Sequence, residues 1–79
     1  MNIYEFQLLT HQQKCEVAFR EGIYISARAK GELSYNLYSI SSFYVEIAFH
    51  LLDNYLDNVL VFNSSRLLEP YLEEISITL

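Results

Sequence analysis

The clearest pattern in the chain is the alternation of Phe43-Tyr44-Val45-Glu46-Ile47-Ala48-Phe49, which places Phe43, Val45, Ile47 and Phe49 on one side. Period-two alternation of this kind predicts a strand with one buried face, here the central strand of a small antiparallel sheet. Shorter alternating runs flank it. Ile23 to Ala29 puts Ile23, Ile25, Ala27 and Ala29 together, and Leu33 to Ser39 puts Leu33, Tyr35 and Leu37 together. Tyr55 to Phe62 completes a predicted four-stranded meander. The punctuation between runs is Lys30-Gly31-Glu32, Ile40-Ser41-Ser42 and Asp53-Asn54, all rich in turn residues.

The ends of the chain change period. Asn2 followed by Glu5, and Thr10 followed by Gln13, are two capping-box signatures. They predict helix from Ile3 to Leu9, a break, and helix from His11 to Glu21, with Gly22 as a left-handed C-terminal cap. Cys15, Ala18 and Phe19 share the apolar face of the second helix; Gln12, Gln13, Lys14, Glu16 and Arg20 fall outside it. Near the other end, Leu67, Leu68, Tyr71, Leu72 and Ile75 recur at helical spacing, with Pro70 tolerable only near a helix start. The predicted fold class is α+β: a four-stranded antiparallel meander with an N-terminal helical segment and a short C-terminal helix on one face.

Register follows from requiring opposed residues to share a face. A two-residue turn at Asp53-Asn54 opposes Ile47 with Leu60 and Val45 with Phe62. A three-residue loop at Ile40-Ser41-Ser42 opposes Leu37 with Val45 and Tyr35 with Ile47. At the first turn, a three-residue Lys30-Gly31-Glu32 loop opposes Ala27 with Tyr35 and Ile25 with Leu37. A two-residue Lys30-Gly31 turn has better turn chemistry but opposes Ala27 with Ser34 and mixes the faces, so patterning selects the longer loop.

Composition narrows the classes. Seventy-nine residues make a single domain, residues 1–79. A chain this short buries roughly 60% of its unfolded surface, near the minimum for folding alone. Net charge is −5, and Lys14, Arg20, Arg28, Lys30 and Arg66 are scattered. Without clustered cations, capture of nucleic acid or of an anionic membrane surface is not expected. Phe43 to Leu52 is interrupted by Glu46 and His50 and is too short to span a bilayer. The single cysteine, Cys15, fits a reducing compartment, and the opening Met1-Asn2-Ile3-Tyr4-Glu5 has no basic signal-peptide region. The expected location is therefore cytoplasmic, where Asn63-Ser64-Ser65 has no meaning as a glycosylation acceptor.

A helix ending in Glu21-Gly22 is followed by Leu37-Tyr38-Ser39, then Phe43-Tyr44-Val45-Glu46-Ile47, then Leu67-Leu68-Glu69-Pro70-Tyr71-Leu72. In this order the chain resembles small uncharacterised bacterial proteins over most of its length. The resemblance implies the fold class and carries no activity with it.

Candidate chemistry is sparse. His50 and Asp57 are opposed in the predicted register with Asp53 nearby, a set that could take a divalent ion, but no second histidine joins it. Cys15 lies mid-helix on the apolar side and reads as a packed thiol, not a nucleophile with a base beside it. There is no Gly-x-Ser-x-Gly elbow and no glycine-rich phosphate loop. No catalytic residue, metal site or cofactor is assigned, and the chain is expected not to be an enzyme.

The remaining candidate is the second sheet face, expected to show Tyr24, Ser26, Arg28, Ser34, Asn36, Tyr38, Tyr44, Glu46, Ala48, His50, Val59 and Val61. Tyr24, Tyr38, Tyr44, Val59 and Val61 would form a mixed aromatic and aliphatic patch suited to a protein interface. The fourth run, Val59-Leu60-Val61-Phe62, is apolar on both sides and would invite pairing if left as an uncovered edge. The expected function is a non-enzymatic protein-interaction module, self-associating as a homodimer through the sheet face or edge. The alternatives are an acidic regulatory or inhibitory protein docking a basic site through Glu69, Glu73 and Glu74, or a metal or small-ligand binder at His50, Asp53 and Asp57.

Overall fold

Both capping boxes form. In a computed structural model, which describes residues 1–63, the Asn2 side-chain oxygen accepts from the Glu5 amide at 2.8 Å and the Glu5 carboxylate accepts from the Asn2 amide at 3.0 Å. Thr10 Oγ1 accepts from the Gln13 amide at 3.1 Å, and Gln13 Oε1 accepts from the Thr10 amide at 3.0 Å. These caps start α1 (Ile3–Gln7) and α2 (His11–Glu21). α1 ends two residues before the expected Leu9, because the Leu8 and Leu9 amides turn back to the Glu5 and Phe6 carbonyls at 3.2 and 3.1 Å.

Gly22 is not a left-handed cap. Its backbone is extended, φ −81 and ψ 157. The glycine is required by space: a Cβ there would lie 2.5 Å from the Ala18 carbonyl oxygen and 3.3 Å from both Ile40 Cγ1 and Tyr38 Cβ.

The meander is present as expected: β1 (Ile23–Lys30), β2 (Leu33–Ile40), β3 (Phe43–His50) and β4 (Leu56–Phe62), all antiparallel and in chain order. Every hairpin register differs from the expected one. Lys30 pairs with Leu33 and Ile40 with Phe43, so Gly31-Glu32 and Ser41-Ser42 are two-residue loops. Each takes a positive φ at its first residue, 62° at Gly31 and 52° at Ser41, the backbone that lets a two-residue loop follow the strand twist. The last connection is five residues, Leu51 to Tyr55, instead of Asp53-Asn54 alone. The Asn54 amide donates to the His50 carbonyl, Asn54 adopts φ 60, and Asp53 accepts from the Tyr55 amide.

A one-residue slip turns a whole strand over. Leu37 therefore opposes Glu46, not Val45, and Tyr35 opposes Ala48, not Ile47. In β4, Val61 opposes Val45 and Val59 opposes Ile47, where Phe62 and Leu60 had been expected. In β1 an extra residue, Ile25, sits between the Tyr24–Tyr38 and Ser26–Leu37 pairs. This bulge puts Ile23 on the opposite face from Ala27 and Ala29.

The helix-side face thus carries Phe43, Val45, Ile47 and Phe49 with Tyr38, Ile40, Val59 and Val61. Phe6, Cys15, Val17 and Ala18 close the core over it, α1 against β4 and α2 against β2 and β4. The outer face carries Leu37 and Phe62, packed with Tyr35 and Tyr44. No helix among the described residues is long and apolar enough to cross a membrane. The predicted short C-terminal helix, with Glu69, Glu73 and Glu74, lies outside the described residues.

Ser41 pays a conformational penalty that Gly31 does not. A left-handed non-glycine residue costs about 1–2 kcal/mol. Replacing it with Gly relieves this while loosening the unfolded chain by about 0.4–1 kcal/mol. Ser41→Gly should therefore stabilise the fold by about 0.5–1 kcal/mol in urea denaturation.

Candidate functional site

The corrected register divides the predicted tyrosine patch between two faces. Val59 is buried in the helix-side core and Val61 packs against it. Tyr44 is on the outer face, its ring stacked on Phe62 at 5.5 Å between centroids. Tyr38 packs against the same core, and Tyr24 meets Tyr38 5.7 Å away, edge to face.

That pair belongs to a longer aromatic row that the sequence reading missed. Phe19, on the last turn of α2, lies 5.6 Å from Tyr38 and 6.5 Å from Phe49. It was expected in the core beside Cys15 and Ala18, yet it is 55% exposed. The reason lies beneath it. The helix-side face is large and apolar along β3 and β4, but its outer part on β1 and β2 carries Ala27, Ala29, Ser34 and Asn36. Small and polar side chains there give a helix little to bury. The exposed ring of Phe19 instead roofs a shallow groove of about 300 Å³, with Ser34, Asn36, Tyr38 and Phe49 in its lining. Asn36 is tied down: its Nδ2 donates to the Ser34 and Ile47 carbonyls, both at 3.3 Å.

The row continues around the sheet edge. Tyr24 is 57% exposed, Ile23 is 71% exposed, and the bulged Ile25 is exposed beside them. No described strand pairs with the free side of β1. Phe19, Ile23, Tyr24 and Ile25 thus gather exposed apolar side chains at one edge. From Ile23 to Ala27 the strand has no charged residue. The signal available in the sequence was the run of Ala and Ser on the β1–β2 side, which marks a part of the face that the helices do not cover.

Burial acts on two ionisable side chains near this row, Cys15 and Tyr38. Burial, and then the Glu16 carboxylate, push the Cys15 thiol above its ordinary range, away from the thiolate a nucleophile needs. Burial, followed by Tyr24 and Cys15, likewise raises the Tyr38 hydroxyl. Neither group has a base positioned against it among the described hydrogen bonds.

The third candidate is partly assembled. His50 Nε2 lies 3.1 Å from Asp57 Oδ1, and both side chains are 40% exposed. Asp57 reaches His50 because it is the extra residue of a second bulge, between the Ala48–Asn58 and Phe49–Leu56 pairs. Asp53 instead serves the turn, accepting from the Tyr55 amide at 3.1 Å. Among the described residues no three His, Cys, Asp or Glu side chains gather to hold a metal ion. The neighbouring hollow of about 330 Å³ is lined by Gly31, Glu32, His50, Leu51, Leu52 and Asp53. An exposed pair of this kind contributes about 0–1 kcal/mol.

No family model, curated protein or solved structure matches this chain.

Proposed function

We propose that this chain is a non-enzymatic protein-interaction module that self-associates through the edge formed by β1 and the end of α2. The reading rests on one observation: Phe19, Ile23, Tyr24 and Ile25 are exposed together along a strand whose outer side no described strand pairs. Contiguous exposed apolar surface of this kind marks binding sites in proteins that are otherwise well packed. Tyrosine and phenylalanine are the side chains that interfaces favour, since each buries a large area at small cost in side-chain freedom.

A second copy is the occupant that the surface supports best. A two-fold interface brings the same patch against itself. The uncharged stretch from Ile23 to Ala27 permits this without burying a charge against its own image. The bulge at Ile25 interrupts the strand's hydrogen-bonding edge. Association is therefore carried mainly by side-chain packing, with any strand pairing confined to the regular stretch from Ser26 to Lys30.

Sedimentation equilibrium of the full chain at high micromolar concentration should give a dimer. Phe19→Ser with Tyr24→Ser should shift it to monomer with unchanged circular dichroism, because both side chains are more than half exposed. A wild-type chain that remains strictly monomeric overturns the reading.

A further inference from the structure

Two polar side chains, Ser34 and Asn36, lie on the helix-side face of β2, opposite Phe49 and Ile47. Both line the groove under Phe19. Asn36 holds one orientation. Its two amide hydrogens are taken up by the Ser34 and Ile47 carbonyls, each at 3.3 Å, and a carbonyl can only accept, so the amide cannot be turned over. Among the described residues its Oδ1 accepts from no donor, and it is not closed off from solvent. Ser34 Oγ lies 3.4 Å from the same Nδ2, which leaves the hydroxyl hydrogen to donate. The floor of the groove thus holds, side by side, an acceptor without a donor and a donor without an acceptor.

The walls are aromatic. Phe19 is nearly parallel to Phe49, with 19° between the ring planes, and is tilted 65° from Tyr38. The Phe19 ring is more than half exposed, which leaves ring surface uncovered. On the β1 side the same face continues with Ala27 and Ala29, whose side chains are too small to fill the space. No lysine, arginine, aspartate or glutamate lines the groove, and the one imidazole, His50, already has its Nε2 3.1 Å from Asp57. A carboxylate or phosphate would find no cation here. The volume of about 300 Å³ lies at the lower end of small-molecule sites, roughly 300–1,000 Å³.

We propose that this groove binds a small uncharged aromatic amide, its ring stacked on Phe19, its N–H donated to Asn36 Oδ1 and its carbonyl accepting from the Ser34 hydroxyl. The ring fills the aromatic part of the groove without bringing a charge out of water. The amide supplies the one donor and the one acceptor that the floor lacks. Asn36 is already held by the backbone, so binding does not have to immobilise it. The site shares Phe19 with the β1 edge, but Ser34 and Asn36 belong to β2, an inner strand of the sheet.

Titration of the isotope-labelled full chain with benzamide tests it. The backbone signals of Ser34 and Asn36, the Asn36 side-chain amide and the aromatic signals of Phe19 and Phe49 should move together and saturate in the millimolar range. Benzoate keeps the ring but is charged and has no N–H; cyclohexanecarboxamide keeps the amide but has no planar ring. Each should bind at least about fivefold more weakly. Ser34→Ala should weaken benzamide by about two- to tenfold, the worth of one hydrogen bond. Ser34→Leu, which fills the floor, should abolish binding with unchanged circular dichroism. The absence of a saturable shift with benzamide overturns the proposal, as does equal binding of cyclohexanecarboxamide or binding that Ser34→Ala leaves unchanged. All titrations are read at one protein concentration, so a negative result leaves self-association at the β1 edge standing.

Discussion

Phe6→Ala should destabilise the fold by about 3–5 kcal/mol, the usual range for emptying a fully buried aromatic site. Phe6 is the buried residue of α1. Its ring lies 5.3 Å from Phe43 and is fully enclosed. α1 has only five residues, too few to persist without a tertiary anchor. Losing the ring therefore releases the helix as well as opening a cavity over β3 and β4. At about 0.05–0.15 kcal/mol per residue, a chain of this size has a total stability on the order of 4–12 kcal/mol. The substitution consumes a large part of that, and at the lower end it unfolds the protein. Urea denaturation should show a large fall in midpoint. Tyr4→Ala, two residues away on the other side of the same helix and 75% exposed, should stay within about 0.5 kcal/mol of wild type.

Gly22→Ala should cost about 1–3 kcal/mol, the range for forcing an extra group into a filled site. The backbone at Gly22, φ −81 and ψ 157, suits alanine well. The obstacle is the Ala18 carbonyl oxygen at 2.5 Å, which already accepts the Gly22 amide at 2.9 Å in the last bond of α2. Neither group can move without displacing the end of the helix. Gly22→Asn distinguishes this from a left-handed cap: asparagine tolerates that cap, but here it should be at least as damaging as alanine. Gly31 offers the opposite case, with φ +62 and nothing within 4 Å of an added Cβ. Its replacement by Ala meets a conformational cost of about 1–2 kcal/mol and no clash. Because the same Cβ at position 22 also presses on Tyr38, Gly22→Ala should disturb the Phe19–Tyr38–Tyr24 row. The aromatic signals of Tyr38 are the place to see it.

Elements were legible in the sequence because their signals are local. Capping boxes at Asn2 and Thr10 act over three residues, and the alternation of Phe43 to Phe49 is set by the strand's own geometry. Faces were not legible, because they depend on register, and register depends on loop length. Ser41-Ser42 closes in two residues only by placing a serine at positive φ. Propensity alone does not anticipate that, and the longer loop gave one consistently apolar face. The large apolar side chains were then divided between two layers: Ile40 and Val59 face the helices, while Leu37 and Phe62 form a second cluster on the other side. A fold with one apolar face was expected, and the sheet has two. The face of the candidate site was misplaced in the same way. Tyr24, Tyr38, Val59 and Val61 do share a face, but it is the helix side, and Tyr44 lies on the other; a register one residue out had placed all five on the outer face. Phe19 was assigned to the core because its helical spacing matches Cys15. Spacing gives the side of a helix, and it does not tell how far the neighbouring sheet extends beneath it.

The exposed β1 edge as a self-association surface is tested most directly by amide and aromatic chemical shifts followed through dilution of the full chain. The shifts of Phe19, Ile23, Tyr24 and Ile25, with Tyr38 behind them, should move together with concentration. Those of the equally exposed hairpin tip, where Leu52 is 97% exposed, should not. Shifts that are independent of concentration at the β1 edge, or that change at the tip instead, contradict the account.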